Sequence, residues 1–275
     1  MALPDRPPMW LVLGGAMLLL ITAAFGRREH ADAPRPPPPL TANEGAVLAR
    51  VSPIDPAAVV RIRSHGGSDA GAAFSVADGG VWLTAAAAIA HCPHPAVMIS
   101  DTEGAASRVA AGPSGDVAVL TTSAGAPALP LAPTLRPGEL AYALGYPHSR
   151  PGELALRLLG PASLAGRGRG SVARPVLAWA ELGRTDGMNG ELTALAGSPV
   201  LDGEGRVVGV ALGEAPRLGR LYSTTPQAPT AALATAKLPH SPQAAGAVIA
   251  ADDYGLAADD LRRAARIAPI VCAAH

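Results

Sequence analysis

Aromatic residues make up only 3% of this 275-residue chain, so Leu and Val must fill whatever core it has. Lysine is almost missing. Lys237 is the sole example, and nearly all positive charge is carried by Arg. The formal net charge is zero and no basic face is concentrated anywhere, which excludes nucleic acid as a partner. Cysteine occurs twice, at Cys92 and Cys272. Two cysteines permit one intramolecular bridge, which an exported domain would allow; the alternative is two buried thiols. His91 and His94 flank Cys92, but no second cluster completes a tetrahedron, so no metal site is expected, and no cofactor either. Ala, Gly and Pro are abundant, and their GC-rich codons, with those of Arg, point to a bacterial genome.

Charge is also missing from one long run. After a short polar tail, residues 1–8, the stretch Met9 to Gly26 carries no charged side chain. As a helix it would span roughly 27 Å, close to the hydrocarbon thickness of a bilayer. It is a membrane anchor or a long signal-peptide core, with Ala24-Phe-Gly26 a passable cleavage site. Arg27 and Arg28 follow it and favour a cytoplasmic C-terminal side. That conflicts with export of the rest of the chain. Residues 27–44 are Pro-rich and have the composition of a stiff spacer. Thr41-Ala-Asn-Glu44 is a capping box that predicts a short helix to about Val51.

From Ala58 onward the sequence consists of short strands and Gly/Pro turns. Val59–Arg63 alternates with period two, and Gly71–Val76, the turn Ala77–Gly80 and Val81–Thr84 predict a hairpin. Strands follow at Ala96–Ser100, Ser107–Ala110 and Gly115–Leu120. A Pro/Ala stretch, Gly125–Pro137, separates these from Glu139–Gly145, Glu153–Leu159, Val176–Glu181, Ser198–Leu201, Val207–Leu212 and Arg220–Ser223. This pattern indicates an all-β fold of two packed antiparallel β-barrels, about 59–124 and 139–231. Asp252 to Ala268 is the one good helical pattern, an amphipathic C-terminal helix with Leu256, Leu261, Ala264, Ala265 and Ile267 on one face. Ile270-Val-Cys-Ala follows Pro269 as a final strand.

Several segments then fall into a known order. Val81-Trp-Leu-Thr-Ala-Ala86 resembles the Val-Leu-Thr-Ala-Ala that precedes the catalytic His of trypsin-like serine proteases. Gly115-Asp-Val-Ala-Val-Leu120 resembles the strand that carries the acid, and Ala141–Pro147 the Gly-Tyr-Pro turn of the bacterial, membrane-anchored branch. Ala194-Leu-Ala-Gly-Ser-Pro-Val-Leu-Asp202 with Val207-Val-Gly209 resembles the nucleophile block, and Leu221–Pro226 the strand lining the specificity pocket. The resemblance implies a protease domain over 45–238, with 239–275 as a C-terminal helix and tail.

Carried across residue by residue, the acid falls on Asp116, the base on Ala87 and the nucleophile on Ala196, with the oxyanion loop at Ala194 and Leu195. The family's chemistry needs a base to take the hydroxyl proton and an acid to orient the base. A methyl group can do neither task nor attack a carbonyl. The resemblance therefore implies a non-catalytic protein tethered to the bacterial inner membrane, its β-domain in the periplasm, that binds a peptide or protein partner. Two alternatives stay open. One is an active endopeptidase using displaced residues, His91, Asp116 and Ser198. The other is a structural module whose cleft is filled. With no His at position 87, Asp116 is expected to be a buried carboxylate bonded to backbone amides.

Overall fold

The computed structural model describes residues 58–61, 71–99, 104–106, 108–111, 116–165, 173–186, 188, 192–212, 219–242 and 244–273. The apolar stretch 9–26, the Pro-rich spacer 27–44 and the capping-box helix lie outside the described residues. Among the described residues no helix is long and apolar enough to cross a membrane.

The fold is mostly β, with fourteen strands among the described residues. They are β1 (Ala58–Arg61), β2 (Ala72–Ala77), β3 (Val81–Ala85), β4 (Pro95–Met98), β5 (Gly104–Ala106), β6 (Arg108–Ala111), β7 (Val117–Thr121), β8 (Leu140–Gly145), β9 (Gly152–Ala165), β10 (Arg174–Arg184), β11 (Pro199–Asp202), β12 (Val207–Val210), β13 (Arg220–Ser223) and β14 (Ile267–Cys272). Three helices accompany them: α1 (Ala86–Ile89), α2 (Gln227–Ala236) and α3 (Tyr254–Arg263).

The strands form two seven-stranded sheets. The first runs β5-β4-β14-β2-β3-β7-β6. The second runs β12-β11-β8-β9-β10-β13, with β1 added in parallel to β9. A bridge between Ala211 and Ser223 brings the two edges of the second sheet together. The expected division at 59–124 and 139–231 needs correction at both ends. Strand β1 pairs with β9 of the second sheet, and β14 enters the first sheet between β4 and β2.

Strands β2, β3 and β8 are buried on both faces because apolar side chains line each of them. Phe74, Val76 and Leu83 face a core shared by both sheets and the helices α2 and α3. On the opposite face Ala73 and Trp82 join the core of the first sheet. Strand β8 repeats the arrangement, with Tyr142 and Leu144 in the shared core and Ala141 and Ala143 in that of the second sheet. The scarce aromatics occupy central places. Trp82 and Trp179 are fully buried, and each indole N–H donates 2.8 Å to a hydroxyl, of Thr122 and Ser223 respectively. Such pairing offsets the cost of burying the N–H.

The Pro/Ala stretch between the halves is part of the packing. The Leu129 amide donates to Ser75 O in β2, and Val207 and Pro130 link it to β12 (2.8 Å each). Ala126, Ala128, Leu129, Ala132 and Leu135 turn their side chains inward, while Gly125, Pro127, Pro133 and Pro137 stay exposed.

The C-terminal segment departs from the expected single helix over 252–268. Helix α3 stops at Arg263, and Ala265 adopts a left-handed φ of 53° that turns the chain into β14. Tyr254, Ala258 and Leu261 form the buried face, whereas Leu256 is 61% exposed. Helix α2 is a second helix that sequence patterning missed, since its alanines give no polar–apolar contrast. Cys92 and Cys272 form a disulfide with Cα atoms 5.4 Å apart. It joins β14 to the turn that precedes β4.

Candidate active site

Three segments converge where the sheets meet. Helix α1 follows β3 directly, and its first amide, on Ala86, donates to Asp116 O at 2.9 Å. That bond sets Asp116, the residue before β7, against the turn carrying Ala87. From the second sheet, Ala196 O accepts from the Ala72 amide at 3.0 Å. The place a Cβ would take on Gly71 lies 1.9 Å from Ala196 O and 3.2 Å from Ala88 Cβ. Ala88 and Ala196 therefore face one another across a glycine that leaves no room for a side chain.

Gly197 makes the docking tighter still. Its φ is +83°, and a Cβ there would stand 2.2 Å from both Ala72 O and Thr84 Oγ1. Thr84 is itself buried, and its hydroxyl donates to Ala72 O at 2.7 Å. The sequence pattern that singled out Gly197 thus has a local physical basis: only glycine combines this φ with this approach.

The functional groups at the junction are few. Ala87 is exposed and Ala196 is 8% exposed, and each offers only a methyl group. The carboxylate of Asp116 forms an ion pair with Arg174, Nε to Oδ1 at 2.9 Å. Its side chain is 11% exposed and that of Arg174 34%. Sequence reasoning expected backbone amides as the partner and missed this arginine. No local motif marks it, because Arg174 starts β10 in the other sheet and only the docking of the sheets brings the two together.

The oxyanion-loop residues Ala194 and Leu195 lie in a turn of 3-10 helix, Leu192–Leu195. Such a turn directs its amides to carbonyls three residues back. Just beyond it, the Ser198 amide donates to Leu195 O at 3.0 Å, and the Gly197 amide to Ala211 O at 2.9 Å.

The displaced candidates stand apart from one another. Ser198 is fully buried, and its Oγ has no hydrogen-bond partner. It rests against Gly145, where a Cβ would come within 1.9 Å of that oxygen. His91 lies exposed in the turn after α1. The helix ends at Ile89, so no continuing helical turn carries His91 back towards Ala87. His94 is exposed near the disulfide, with its carbonyl bonded to the Ala273 amide. Among the described residues no group of His, Cys, Asp and Glu is arranged to hold a metal ion.

A second polar cluster lies under the 146–151 turn. Glu153 is fully buried, accepts a hydrogen bond from Thr185 and forms an ion pair with Arg262. Arg262 comes from α3, with its side chain 6% exposed, and its Nη2 donates to Gly145 O and Gly152 O at 3.0 and 3.1 Å. Its guanidinium also pairs with Asp259 at 3.1 Å and lies 5.4 Å from the centre of the Tyr146 ring. Burial raises the Glu153 carboxyl above its ordinary value, and Arg262 opposes that shift.

The comparisons agree with this architecture. The sequence profile of the trypsin-like peptidase domain matches residues 71–210. The chain belongs to the trypsin-like peptidase domain family. Among solved structures, the active form of the Rv3671c protease from M. tuberculosis is 19% identical, with a TM-score of 0.51, over 74% of this chain and all of that one. It shares the fold. An inactive form of a mutant of the same protease, from M. tuberculosis H37Rv, is 22% identical (TM-score 0.49; 61% of this chain, 86% of that chain). The MamO protease domain from Magnetospirillum magneticum is 14% identical (TM-score 0.45; 61% and 97%). No curated protein matches the chain.

Proposed function

We propose that this trypsin-like domain binds a peptide or protein partner at the junction of its two sheets and does not cleave it. One observation carries the reading. Methyl groups stand at 87 and 196, while the remaining acid, Asp116, is ion-paired with Arg174. Without an imidazole the carboxylate has no base to orient, and without a hydroxyl there is no nucleophile. The 3-10 turn at 192–195 supports the same conclusion, since amides bonded within a turn do not receive an oxyanion. Burial of Ser198 and exposure of His91 argue against the displaced triad.

In this proposal residues 9–26 hold the protein at the inner membrane and the β-domain works in the periplasm. The disulfide supports an oxidising compartment. A fusion of alkaline phosphatase after Leu238 is expected to be active, and activity only of a cytoplasmic reporter at that point reverses the orientation.

The direct test uses the purified protein with a fluorophosphonate probe, casein and a peptide library. No labelling and no hydrolysis are expected, together with saturable retention of a subset of peptides. Hydrolysis that disappears with His91→Ala or Ser198→Ala would establish the endopeptidase instead. Failure to retain any peptide would leave a structural module with a filled cleft.

A further inference from the structure

A cavity of about 580 Å³ opens on the first sheet, lined among others by Asp78, His240, Ser241, Ala245 and Arg266. None of these residues belongs to the junction of Ala87, Asp116 and Ala196. Four separate chain segments build the walls: the β2–β3 turn, the stretch before β8, the coil that follows α2, and the turn between α3 and β14 that carries Arg266.

The feature that sets this cavity apart is its cation. Arg266 is only partly exposed, and among the described residues no carboxylate forms a salt bridge with it. Its Nη2 donates to the carbonyls of Ala128 and Ala245, and its Nε is buried without a hydrogen-bond partner. Neutral carbonyls hold a guanidinium in place but do not balance its charge. Buried charges are ordinarily paired. Arg157 and Arg220 likewise have no carboxylate partner among the described residues, but Arg266 is the one that lines this cavity.

Asp78 lies across the cavity and is committed elsewhere, since its Oδ1 accepts from the Ala128 amide at 3.0 Å. It acts on Arg266 only at longer range, and burial pulls the guanidinium below its ordinary value. His240 and Ser241 bring an imidazole and a hydroxyl to the same wall. Among the described residues neither side chain has a hydrogen-bond partner. The Ser241 amide, donating to Val76 O at 2.8 Å, fixes that wall to β2.

The geometry points to a binding site for a small oxyanion, a carboxylate or phosphate group, held by Arg266 with His240 and Ser241 as further donors. A guanidinium presents several N–H groups in one plane, which suits both acceptors. The exposed Asp78 at the rim repels a second negative charge, so singly charged groups are favoured over highly charged ones.

The test is calorimetric titration of the full chain with sodium phosphate, with sodium acetate and with sodium chloride, at matched ionic strength. Saturable binding of phosphate or acetate, with chloride silent, is the expected result. Whichever of the two binds identifies the group. Arg266→Met is expected to abolish binding, and His240→Ala with Ser241→Ala to weaken it by about five- to tenfold. Because Arg266 also ties two loops together, its variant is to be checked for folding by circular dichroism. If it does not fold, the double variant decides alone. No saturable binding to the unmodified chain, equal binding of chloride, or unchanged affinity in the double variant each overturns the proposal.

Discussion

Two of the acids that meet arginines, Asp116 and Glu153, differ in what surrounds them. At the sheet junction, Asp116 and Arg174 form a pair of which the arginine is one-third exposed, beside two alanines. Under the 146–151 turn, Glu153 and Arg262 are almost fully enclosed and share their bonds with Thr185, Asp259 and two backbone carbonyls. The Glu153 cluster fastens the C-terminal helix through several polar bonds, whereas the Asp116 pair spans the two sheets.

The largest expected effect comes from the fastening itself. Breaking the Cys92–Cys272 bridge with serines opens a loop of 180 residues, which the chain-entropy treatment equates to about 5 kcal/mol. Denaturant titration with and without reductant measures it. Arg262→Ala ranks next. It leaves Glu153 buried and uncompensated, and a loss of about 3–5 kcal/mol is expected from the same titration. Gly197→Ala forces a Cβ to within 2.2 Å of Ala72 O at a left-handed φ, at a cost of about 2–4 kcal/mol. Its second readout is slower proteolytic protection of the 192–197 loop.

A smaller effect depends on pH. A carboxyl whose pKa is raised in the fold favours folding while protonated. The contribution of Glu153 is therefore complete below its ordinary value of 4.5 and is lost as pH rises through the higher folded value. Melting temperature is expected to decline over that interval, and Glu153→Gln to flatten the decline. The smallest effect is that of Arg174→Ala. The pair is partly exposed, so its loss costs under about 1 kcal/mol. A loss near that of Arg262→Ala would erase the contrast between the two sites.

Much of this was legible in the sequence, for identifiable reasons. Short apolar runs between Gly/Pro turns marked most strands, and Arg220–Ser223 appears at the expected residues. Gly197 and Ser198 were conspicuous within the 194–202 block because close packing leaves few residue types possible there. What escaped was determined by docking at a distance. Nothing near position 174 announces a partner for Asp116, and nothing near position 58 announces pairing with β9. The helical pattern over 252–268 ran past its true end because Ile267 and Ala268 are as apolar in a strand as in a helix. The left-handed turn at Ala265 has no sequence signal, alanine being an unusual occupant of that conformation.

The position of β14 also bears on how the protein comes into being. Strand β14 fills the gap between β4 and β2, two strands made long before it. While the polypeptide is being synthesised, the first sheet lacks its middle. At the usual pace of a ribosome, the 180 residues that separate the paired cysteines take roughly 10–40 seconds to make. Throughout that interval the facing edges of β2 and β4 are open to any extended chain nearby, a neighbour's included. The first sheet closes only once β14, made long after β2 and β4, takes its place between them.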